Sequence, residues 1–261
     1  MKKLIKKIIN KLGYDLIKIN PKIKQYNNHF KGLLKDKIVE NPIIFDVGAN
    51  KGQSIESFIK LFNKPIIHSF EPVKTDFDEL CKKYKNSKNI FLNNVALGDK
   101  TENKEFNITS GTWNSSFNKI QTGGDWLKAR SKELKSTALG PNLKDFYVKS
   151  VQNVNVIKLD DYFKKEKINQ IDLLKIDTQG YEDKVLQGSL NVIKANKIKV
   201  IMTEISFDDI YDKYFSFSDI EKYIIPHNFR MVGIRLGSDN LFSGSGFSSD
   251  VYYFNKNYYD I

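Results

Sequence analysis

The chain of 261 residues has a single cysteine, Cys81, so an internal disulfide is excluded and a reducing compartment fits the sequence. Its apolar runs are short, and none approaches the roughly 20 residues that a membrane-spanning helix needs. A secretory hydrophobic region is also absent, because lysines interrupt the apolar residues at the N-terminus. These absences predict a cytoplasmic location.

Arginine is scarce as well. Only three residues are arginine, whereas 39 are lysine, and the formal net charge is +11. Residues 1–40 hold eleven lysines and three acidic residues, so most of the positive charge lies there. Proteins that bind nucleic acid favour arginine for paired contacts to guanine and phosphate. The composition therefore disfavours a nucleic-acid partner.

Residues 2–12 place leucines and isoleucines on one helical stripe with lysines around it. Two interpretations are open. The favoured one is a helix packed on the domain or on a partner subunit, and the other is a basic amphipathic helix at the inner face of an anionic membrane. We divide the chain into a basic N-terminal helical extension, residues 1–40, and a domain formed by residues 41–261.

In this domain, apolar strands alternate with helical patterns, which predicts a parallel sheet covered on both faces. Residues 96–99 are predicted to form a turn, and residues near 103–157 a strand-rich insertion. The last two strands lack a helical pattern between them, which predicts an antiparallel hairpin at one edge. The predicted strands are 43–47, 65–70, 89–95, 171–176, 198–205, 229–235 and 249–254, and the predicted helices are 53–62, 74–85, 159–165, 181–194 and 217–225.

The apolar run of the first strand ends in an acid, Asp46, and Gly48-x-Asn50-x-Gly52 follows. Glycines permit positive φ and the close approach of a ligand to the backbone. The pattern is not Gly-x-Gly-x-x-Gly, and an acid precedes it, which favours an ammonium-bearing nucleoside such as S-adenosylmethionine over a pyrophosphate. The alternative is a tight turn between strand and helix that binds no ligand.

The second strand ends at Glu71, 19 positions after Gly52. An acid at about this distance hydrogen-bonds the ribose hydroxyls in dinucleotide-type folds, because a carboxylate only accepts and a diol offers two donors. Pro72 then ends the strand. The alternative is a solvated acid at the end of a strand.

Three further acids follow later strands. Asp177 follows a buried strand and precedes a glycine turn, Glu182 lies in the first turn of the next helix, and Glu204 lies near the end of another strand. Ligands of open α/β sheets bind beyond the carboxyl ends of the strands, where these acids are expected. Glu182 could instead only stabilise its helix N-terminus, and Glu204 could only cap its strand.

Five segments together resemble the FkbM family of S-adenosylmethionine-dependent methyltransferases. The resemblance implies a Rossmann-like class I methyltransferase fold with a seven-stranded sheet, and O-methylation, often of bacterial glycans or polyketides. It spans roughly residues 40–235, and the family's Asp-x-x-Gly-x-Glu pattern is kept from Asp177 to Glu182. The segments are Asp46-Val47-Gly48-Ala49-Asn50-Lys51-Gly52, Phe70-Glu71-Pro72, Leu159-Asp160-Asp161, Leu174-Lys175-Ile176-Asp177-Thr178-Gln179-Gly180-Tyr181-Glu182 and Val185-Leu186-Gln187-Gly188.

With this cofactor, roles can be assigned. Asp177 is the first choice for a base at the reacting centre, with Glu204 and His227 as further catalytic candidates, and Asp177 with Glu204 gives a weak signal for a divalent metal. Acceptor contacts are expected from Trp113, Asn114, Ser115, Ser116, Tyr181 and Glu182. Cofactor contacts are expected from Asp46, Gly48, Asn50, Gly52, Ser54, Glu71, Pro72, Asn94, Val95, Ala96 and Asp177.

The expected acceptor is a sugar hydroxyl in a bacterial surface glycan or in its nucleotide-linked precursor. The alternatives are another small molecule, such as a polyketide or lipid, and a membrane-associated protein that keeps the fold without catalysis.

Overall fold

The computed structural model describes residues 40–121, 147–206, 210–213, 216–236 and 248–261, together with Leu34, Ile38 and Gly124. Residues from Ile38 to Ile261 form one compact unit. The helix predicted within residues 2–12 lies outside the described residues, and the boundary at residue 41 stays a prediction. In the described part of the chain, no helix is long and apolar enough to cross a membrane.

The elements alternate much as predicted. The strands are β1 (Ile43–Val47), β2 (Ile66–Phe70), β3 (Ile90–Asn93), β4 (Ala96–Leu97), β5 (Glu102–Thr109), β6 (Val148–Ile157), β7 (Ile171–Ile176), β8 (Ile198–Ser206), β9 (Phe229–Leu236) and β10 (Ser248–Asn255). The helices are α1 (Gln53–Leu61), α2 (Lys74–Tyr84), α3 (Leu159–Lys165), α4 (Glu182–Gln187), α5 (Leu190–Lys194) and α6 (Phe217–Ile224), and 3-10 turns lie at Thr112–Asn114 and Ile225–His227.

Seven of these strands form the main sheet in the order β3-β2-β1-β7-β8-β10-β9. The five strands from β3 to β8 are parallel, and β10 runs antiparallel to both of its neighbours. Parallel strands that are covered by helices on both faces are largely apolar, and all six residues of the central strand β7 are buried. The order confirms the predicted class I methyltransferase fold with an antiparallel hairpin at one edge.

A second sheet has three strands in the order β4-β6-β5, and its first strand in the chain, β4, follows directly after β3. Residues 96–99 were predicted to be a turn, but Ala96 and Leu97 pair in parallel with Val156 and Ile157. The turn prediction was wrong at these two positions, because they pair with residues about 60 positions later and local sequence does not indicate such a pairing. Phe106, Val154 and Val156 are buried against Val73 and Ala96 beneath this sheet.

The helix predicted over residues 181–194 is divided into α4 and α5 at Gly188 and Ser189. A Cβ atom on Gly188 would lie 1.9 Å from the carbonyl oxygen of Gly98. The backbone of the residues after β4 therefore packs directly on this break, and only a glycine leaves room for it.

His68 is buried within β2. Its Nδ1 lies 2.9 Å from the hydroxyl of Tyr162, and its ring stacks on Phe91 with centroids 4.8 Å apart. Burial lowers the pKa of His68 to about 4. It is therefore a neutral residue whose ring and Nδ1 are engaged in the packing of β2.

Candidate active site

The carboxyl ends of β1, β2 and β7 meet at one edge of the main sheet. The backbone N–H groups of Gly48 and Ala49 donate to the Phe70 carbonyl at 3.1 and 3.2 Å, and the N–H of Asp177 donates to the Val47 carbonyl at 3.0 Å. The structure thereby brings together the strand ends on which the sequence places Asp46, Glu71 and Asp177, as expected for the ligand edge of an open α/β sheet.

The turn after β1 depends on its glycines. Gly48 and Gly52 have φ of +82° and +84°, and Asn50 between them has φ of +47°. A Cβ atom on Gly48 would lie 1.9 Å from the carbonyl oxygen of Asp177. The turn therefore packs against the backbone that follows β7, and a side chain at residue 48 would separate the two segments.

Glu71 is 4% exposed and holds the same turn from β2. Its Oε2 accepts from the backbone N–H of Asn50 at 2.7 Å, and its Oε1 accepts from the N–H of Val73 at 2.8 Å. Burial raises the pKa of Glu71 to about 7, although the two backbone donors oppose the shift. Each carboxylate oxygen keeps a second lone pair, which is the acceptor capacity that a ribose diol needs.

The residues around Glu71 hold it in place. The side chain of Asn94 donates to the carbonyls of Glu71 and Pro72 at 2.9 and 3.1 Å. Val95 and Ala96, which were expected to border the adenine, have side chains packed in hydrophobic cores. Contacts from these two positions to a cofactor would therefore come from the backbone.

Lys175, which sequence reasoning did not assign a role, connects the two acids of the neighbouring strands. Its Nζ donates to the Gly48 carbonyl at 2.8 Å and lies 3.4 Å from Asp177 Oδ2. It also lies 3.2 Å from Asp46 Oδ1, which is an ion-pair distance without the alignment of a hydrogen bond. The other oxygen of Asp46 accepts from Ser54 Oγ at 2.5 Å. Burial alone would lower the pKa of Lys175, but the carboxylates of Asp46 and Asp177 raise it above its usual value.

Gln179 links Asp177 to Glu204. Its Nε2 donates to Asp177 Oδ1 at 2.9 Å and to Glu204 Oε2 at 2.8 Å, and its Oε1 accepts from the hydroxyl of Tyr211 at 2.9 Å. Desolvation and the charge of Asp177 raise the pKa of the half-buried Glu204 well above its usual value. Asp250 lies opposite Glu204 on β10, and burial with the charge of Asp177 raises its pKa to about 6. The charge of Asp177 thus contributes to the raised pKa of both Glu204 and Asp250.

Residues 112–118, which we call the 112–118 loop, contact both turns of the site. Thr112 Oγ1 accepts from Asn50 Nδ2 at 3.2 Å, Ser116 Oγ donates to the Gln179 carbonyl at 2.6 Å, and Asn118 Nδ2 donates to the Gly180 carbonyl at 2.5 Å. The loop therefore bridges the turn after β1 and the turn after β7. The contacts of Thr112 and Asn118 were not predicted, because nothing in their local sequence indicates them.

The four predicted acceptor contacts in this loop differ in exposure. Trp113 keeps 49% of its surface exposed, whereas Asn114, Ser115 and Ser116 are buried. Ser115 Oγ accepts from the N–H of Thr109 at 3.1 Å, and Ser116 holds Gln179, so both serines stabilise the loop. The Nδ2 of Asn114 is buried without a hydrogen-bond partner in the described residues.

The structure places His227, a predicted catalytic residue, away from this site. His227 ends the 3-10 turn before β9, and Phe229 pairs with Asn255 of β10. The side chain of Asn255 donates to the carbonyl of Ile198 at the start of β8. His227 therefore lies at the amino ends of the parallel strands, the edge opposite Asp177, and we withdraw it as a candidate base.

Two predicted acceptor contacts are also corrected by position. Tyr181 is buried against Phe117 with ring centroids 4.4 Å apart, and its hydroxyl accepts from Lys104 Nζ at 3.0 Å. Glu182 is buried and closes its own turn, since its Oε1 accepts from the N–H and hydroxyl of Thr178 and its Oε2 from the N–H of Gly180. Burial raises the pKa of Glu182 to about 7. Both side chains are engaged in holding the structure of the site.

The structure gives the possible divalent metal no support. Among the described residues, no group of three or more histidine, cysteine, aspartate or glutamate side chains is arranged to hold an ion. Asp177 and Glu204 both accept hydrogen bonds from the amide of Gln179.

Comparison with known proteins places this geometry in a family. A family model described as the methyltransferase FkbM domain matches residues 46–231. The curated 2-O-methyltransferase NoeI of Sinorhizobium fredii (strain NBRC 101917 / NGR234) is 24% identical to this chain over 177 residues. That alignment covers 66% of this chain and 66% of NoeI, so about a third of the relative lies outside it.

Solved structures give weaker similarities. An rRNA methylase from Streptococcus thermophilus aligns over 87% of this chain and 94% of its own, with 7% identity and a TM-score of 0.44. Aeropyrum pernix fibrillarin, in complex with S-adenosyl-L-methionine, aligns over 87% of this chain and 74% of its own, with 11% identity and a TM-score of 0.42. At these scores the fold assignment rests on the strand order of the chain itself.

The seven-stranded order and the acids at its carboxyl edge define a class I methyltransferase domain. The family match covers most of the chain, and the chain belongs to the FkbM methyltransferase family. The domain is that of an S-adenosylmethionine-dependent methyltransferase. The donor set fits the cofactor, because the acid Asp46 beside the glycine turn suits its cationic methionine end and Glu71 suits its ribose.

Proposed function

We propose that the chain transfers a methyl group from S-adenosylmethionine to a hydroxyl of a sugar, in a bacterial surface glycan or in its nucleotide-linked precursor. The observation that carries the proposal is the position of Asp177. Its carboxylate is partly exposed, follows β7 at the carboxyl edge, and is fixed between Lys175 and Gln179 next to the glycine turn. The name of the relative, a 2-O-methyltransferase, supports a hydroxyl acceptor.

The cofactor, when bound, would supply a methyl group on a positively charged sulfur. The acceptor oxygen would bond to the methyl carbon, and the sulfur would leave as a neutral thioether. Asp46 and the turn from Gly48 to Gly52 would hold the methionine end, and Glu71 would hold the ribose. Asn50 is fixed between these two regions, because its N–H donates to Glu71 and its side chain donates to Asp76. The residues thereby fix the direction from which the acceptor must approach.

Asp177 is the residue that would accept the hydroxyl proton of the acceptor. A general base must be ionised and within reach of the proton that it removes. Glu204 is less suited, because its raised pKa favours the neutral form. We assign the base to Asp177, and to Glu204 the task of holding Gln179.

Trp113 is the residue of the 112–118 loop that can meet an acceptor. About half of its surface is exposed. The loop that carries it is bound to the turn after β1 through Thr112 and to the turn after β7 through Ser116. An exposed aromatic ring next to polar groups suits a sugar, which presents an apolar face for stacking and hydroxyls at its rim. A polyketide or lipid acceptor would use the same ring without the polar contacts.

The experiment that tests the proposal has two stages. Calorimetry with S-adenosylmethionine and with its demethylated product first measures cofactor binding. A panel of nucleotide-linked sugars, with one polyketide and one lipid alcohol as comparison acceptors, is then incubated with the cofactor, and methyl gain is read by mass spectrometry. Binding with methylation of a sugar supports the proposal. Methylation of only the comparison acceptors would assign another substrate, and absence of cofactor binding would reject the proposal entirely.

We also propose a cytoplasmic location, with residues 1–12 packed on protein rather than on a membrane. Sedimentation with anionic vesicles compares the chain with a variant that lacks residues 1–15. Equal amounts of both proteins in the pellet support packing on protein. Loss of pelleting in the shortened variant would instead assign the basic stripe to the membrane surface.

A further inference from the structure

Lys175 occupies a position at which a buried parallel strand ordinarily has an apolar residue. All six residues of β7 are buried, and the side chain of Lys175 is 7% exposed. Its Nζ has three acceptors in reach, which belong to β1, to the glycine turn and to the residue after β7. A single cation thus contacts each segment that carries the methionine-end site.

A buried ion pair is weak evidence for stability, because removing two charges from water costs about as much as their attraction returns. The chain provides an internal comparison. Lys199 on β8 pairs with Asp172 of β7 at 2.7 Å, and both side chains are largely buried at the opposite edge of the sheet. That pair joins one cation to one acid. Lys175 instead stands between two acids and a backbone carbonyl, which is more than pairing one charge requires.

We infer that Lys175 is a positioning residue for methyl transfer, which holds Asp46, the Gly48 carbonyl and Asp177 in one fixed arrangement. Asp46 faces the cofactor's methionine end and Asp177 faces the acceptor, so the distance between the two reactants depends on this arrangement. The inference rests on the proposed function, because it assigns Lys175 a task in that reaction.

Charge supports the same role. Two carboxylates and one ammonium leave one net negative charge at the site, which suits a cofactor with a positive sulfur and an ammonium balanced by one carboxylate. Without Lys175, the two carboxylates would repel each other across the turn. As a result, one carboxylate would take up a proton, or the Gly48 turn would move. In both cases the aligned geometry would be lost.

The test compares Lys175→Met with the matched control Lys199→Met, which removes a buried lysine from the opposite edge. For Lys175→Met we expect kcat to fall about 100-fold, since small misplacement of reactants has effects of this size. We also expect the number of protons exchanged on cofactor binding to differ from the wild-type number, as measured by calorimetry in buffers of different ionisation enthalpy. Lys199→Met should lose thermal stability but keep the wild-type kcat, cofactor affinity and proton exchange.

Lys175→Arg serves if Lys175→Met does not fold. Arginine keeps the charge, but its planar guanidinium cannot direct one nitrogen to three acceptors. A folded Lys175→Arg with kcat reduced at least tenfold supports positioning. Wild-type kcat in a folded Lys175→Met or Lys175→Arg variant would overturn the inference.

A measurement on the ligand-free protein separates this inference from the proposed function. The ¹⁵N resonance of the Lys175 Nζ should shift in Asp46→Asn and in Asp177→Asn, but not in Asp172→Asn, which should shift the resonance of Lys199. If the wild type binds no cofactor, the proposed function fails, and these shifts still establish whether Lys175 joins the two acids. A Lys175 resonance that is insensitive to both substitutions would overturn the inference whatever the cofactor does.

Discussion

The carboxylate of Glu71 accepts a hydrogen bond from the backbone N–H of Asn50 at 2.7 Å, although 21 positions separate the two residues in the chain. The acid expected to bind ribose therefore also fixes the glycine turn expected to bind the methionine end. Because burial raises its pKa to about 7, the charge of Glu71 changes within the range in which the enzyme can be assayed.

We predict that cofactor affinity depends on pH through Glu71. A ribose hydroxyl donates to the ionised carboxylate. When the pH is below the pKa of Glu71, which is about 7, the carboxyl group is mostly protonated and must lose its proton before it can accept from the ribose. The association constant should therefore rise with pH up to about 7 and become constant above it. Glu71→Gln should abolish this dependence and weaken binding by about 1.5–3 kcal/mol, the value of a hydrogen bond to a charged group.

Titration calorimetry with the demethylated cofactor product at several pH values between 5.5 and 8.5 measures this dependence. Glu56→Gln is a suitable control, because Glu56 is an exposed acid of α1 outside the site. A wild-type affinity that is the same at pH 6 and pH 8 would contradict the assignment of Glu71 to the ribose.

A second prediction concerns the glycine turn. Gly48→Ala should both destabilise the protein and abolish cofactor binding, because its Cβ atom would lie 1.9 Å from the backbone oxygen of Asp177. Gly52→Ala is matched to it, since both glycines have φ near +83°, but its Cβ atom would meet side-chain atoms of Leu80 and Tyr84. Positive φ costs alanine about 1 kcal/mol at either position, and the backbone collision adds to this only at residue 48.

Chemical denaturation and calorimetry of the two variants measure the difference. Gly48→Ala should lose more stability than Gly52→Ala by at least 1 kcal/mol, the lower range of costs for strained backbone. Equal losses would show that the segment after β7 moves away from the turn without cost.

The strand boundaries could be predicted because the apolar segments of β1 and β7 give way to an acid, with glycine within the next three residues. The meeting of Asp46, Glu71 and Asp177 followed from the rule that parallel strands share one carboxyl edge. Lys175 could not be assigned, because its role depends on Asp46, a partner 129 positions away, and local patterns do not report such pairings. The signal that was available is a lysine between Leu174 and Ile176 inside a buried strand.

Tyr181 shows the opposite error. It follows the Asp177 turn closely in sequence, which suggested a contact with the acceptor. Gly180, with φ of +90°, redirects the chain at this point. Tyr181 is then buried against Phe117, a residue 64 positions earlier. Proximity in sequence was therefore a poor guide to proximity in the site.

A third prediction tests the base. Asp177→Asn keeps the size of the side chain but removes the charge that accepts the hydroxyl proton. We expect turnover to fall by about 10²–10⁴-fold, the usual contribution of a general base, whereas cofactor affinity should change less than tenfold. Turnover assays stopped at fixed times measure the loss of catalysis, and calorimetry on the same preparation measures the change in cofactor affinity.

Asp183→Asn is the control for this substitution. Asp183 is a buried acid near the same turn, but it lies on α4 and pairs with Lys213 at 2.7 Å. It should keep wild-type turnover even if it loses some stability. Full turnover in Asp177→Asn would remove Asp177 from the proposed mechanism and leave Glu204 as the next candidate.

The fourth prediction concerns recognition of the acceptor by Trp113. Stacking on an exposed aromatic ring contributes about 0.5–1.5 kcal/mol beyond surface burial, which corresponds to a change of roughly two- to tenfold in KM. Trp113→Ala should therefore raise the acceptor KM by about this factor and leave cofactor affinity unchanged. Trp113→Phe should restore most of the loss, since it keeps a ring at the same place.

Initial-rate kinetics with the nucleotide-linked sugar that gives the highest turnover measure this effect. Tyr258→Ala serves as the control, because Tyr258 is a 40% exposed aromatic residue that donates to Asn196 at the opposite edge of the sheet. If Trp113→Ala changes cofactor affinity but not the acceptor KM, the 112–118 loop acts on the turn after β1 through Thr112 and not on the acceptor. Equal KM changes in the Trp113 and Tyr258 variants would mean that acceptor binding is not localised at the loop, because the two side chains lie at opposite edges of one sheet.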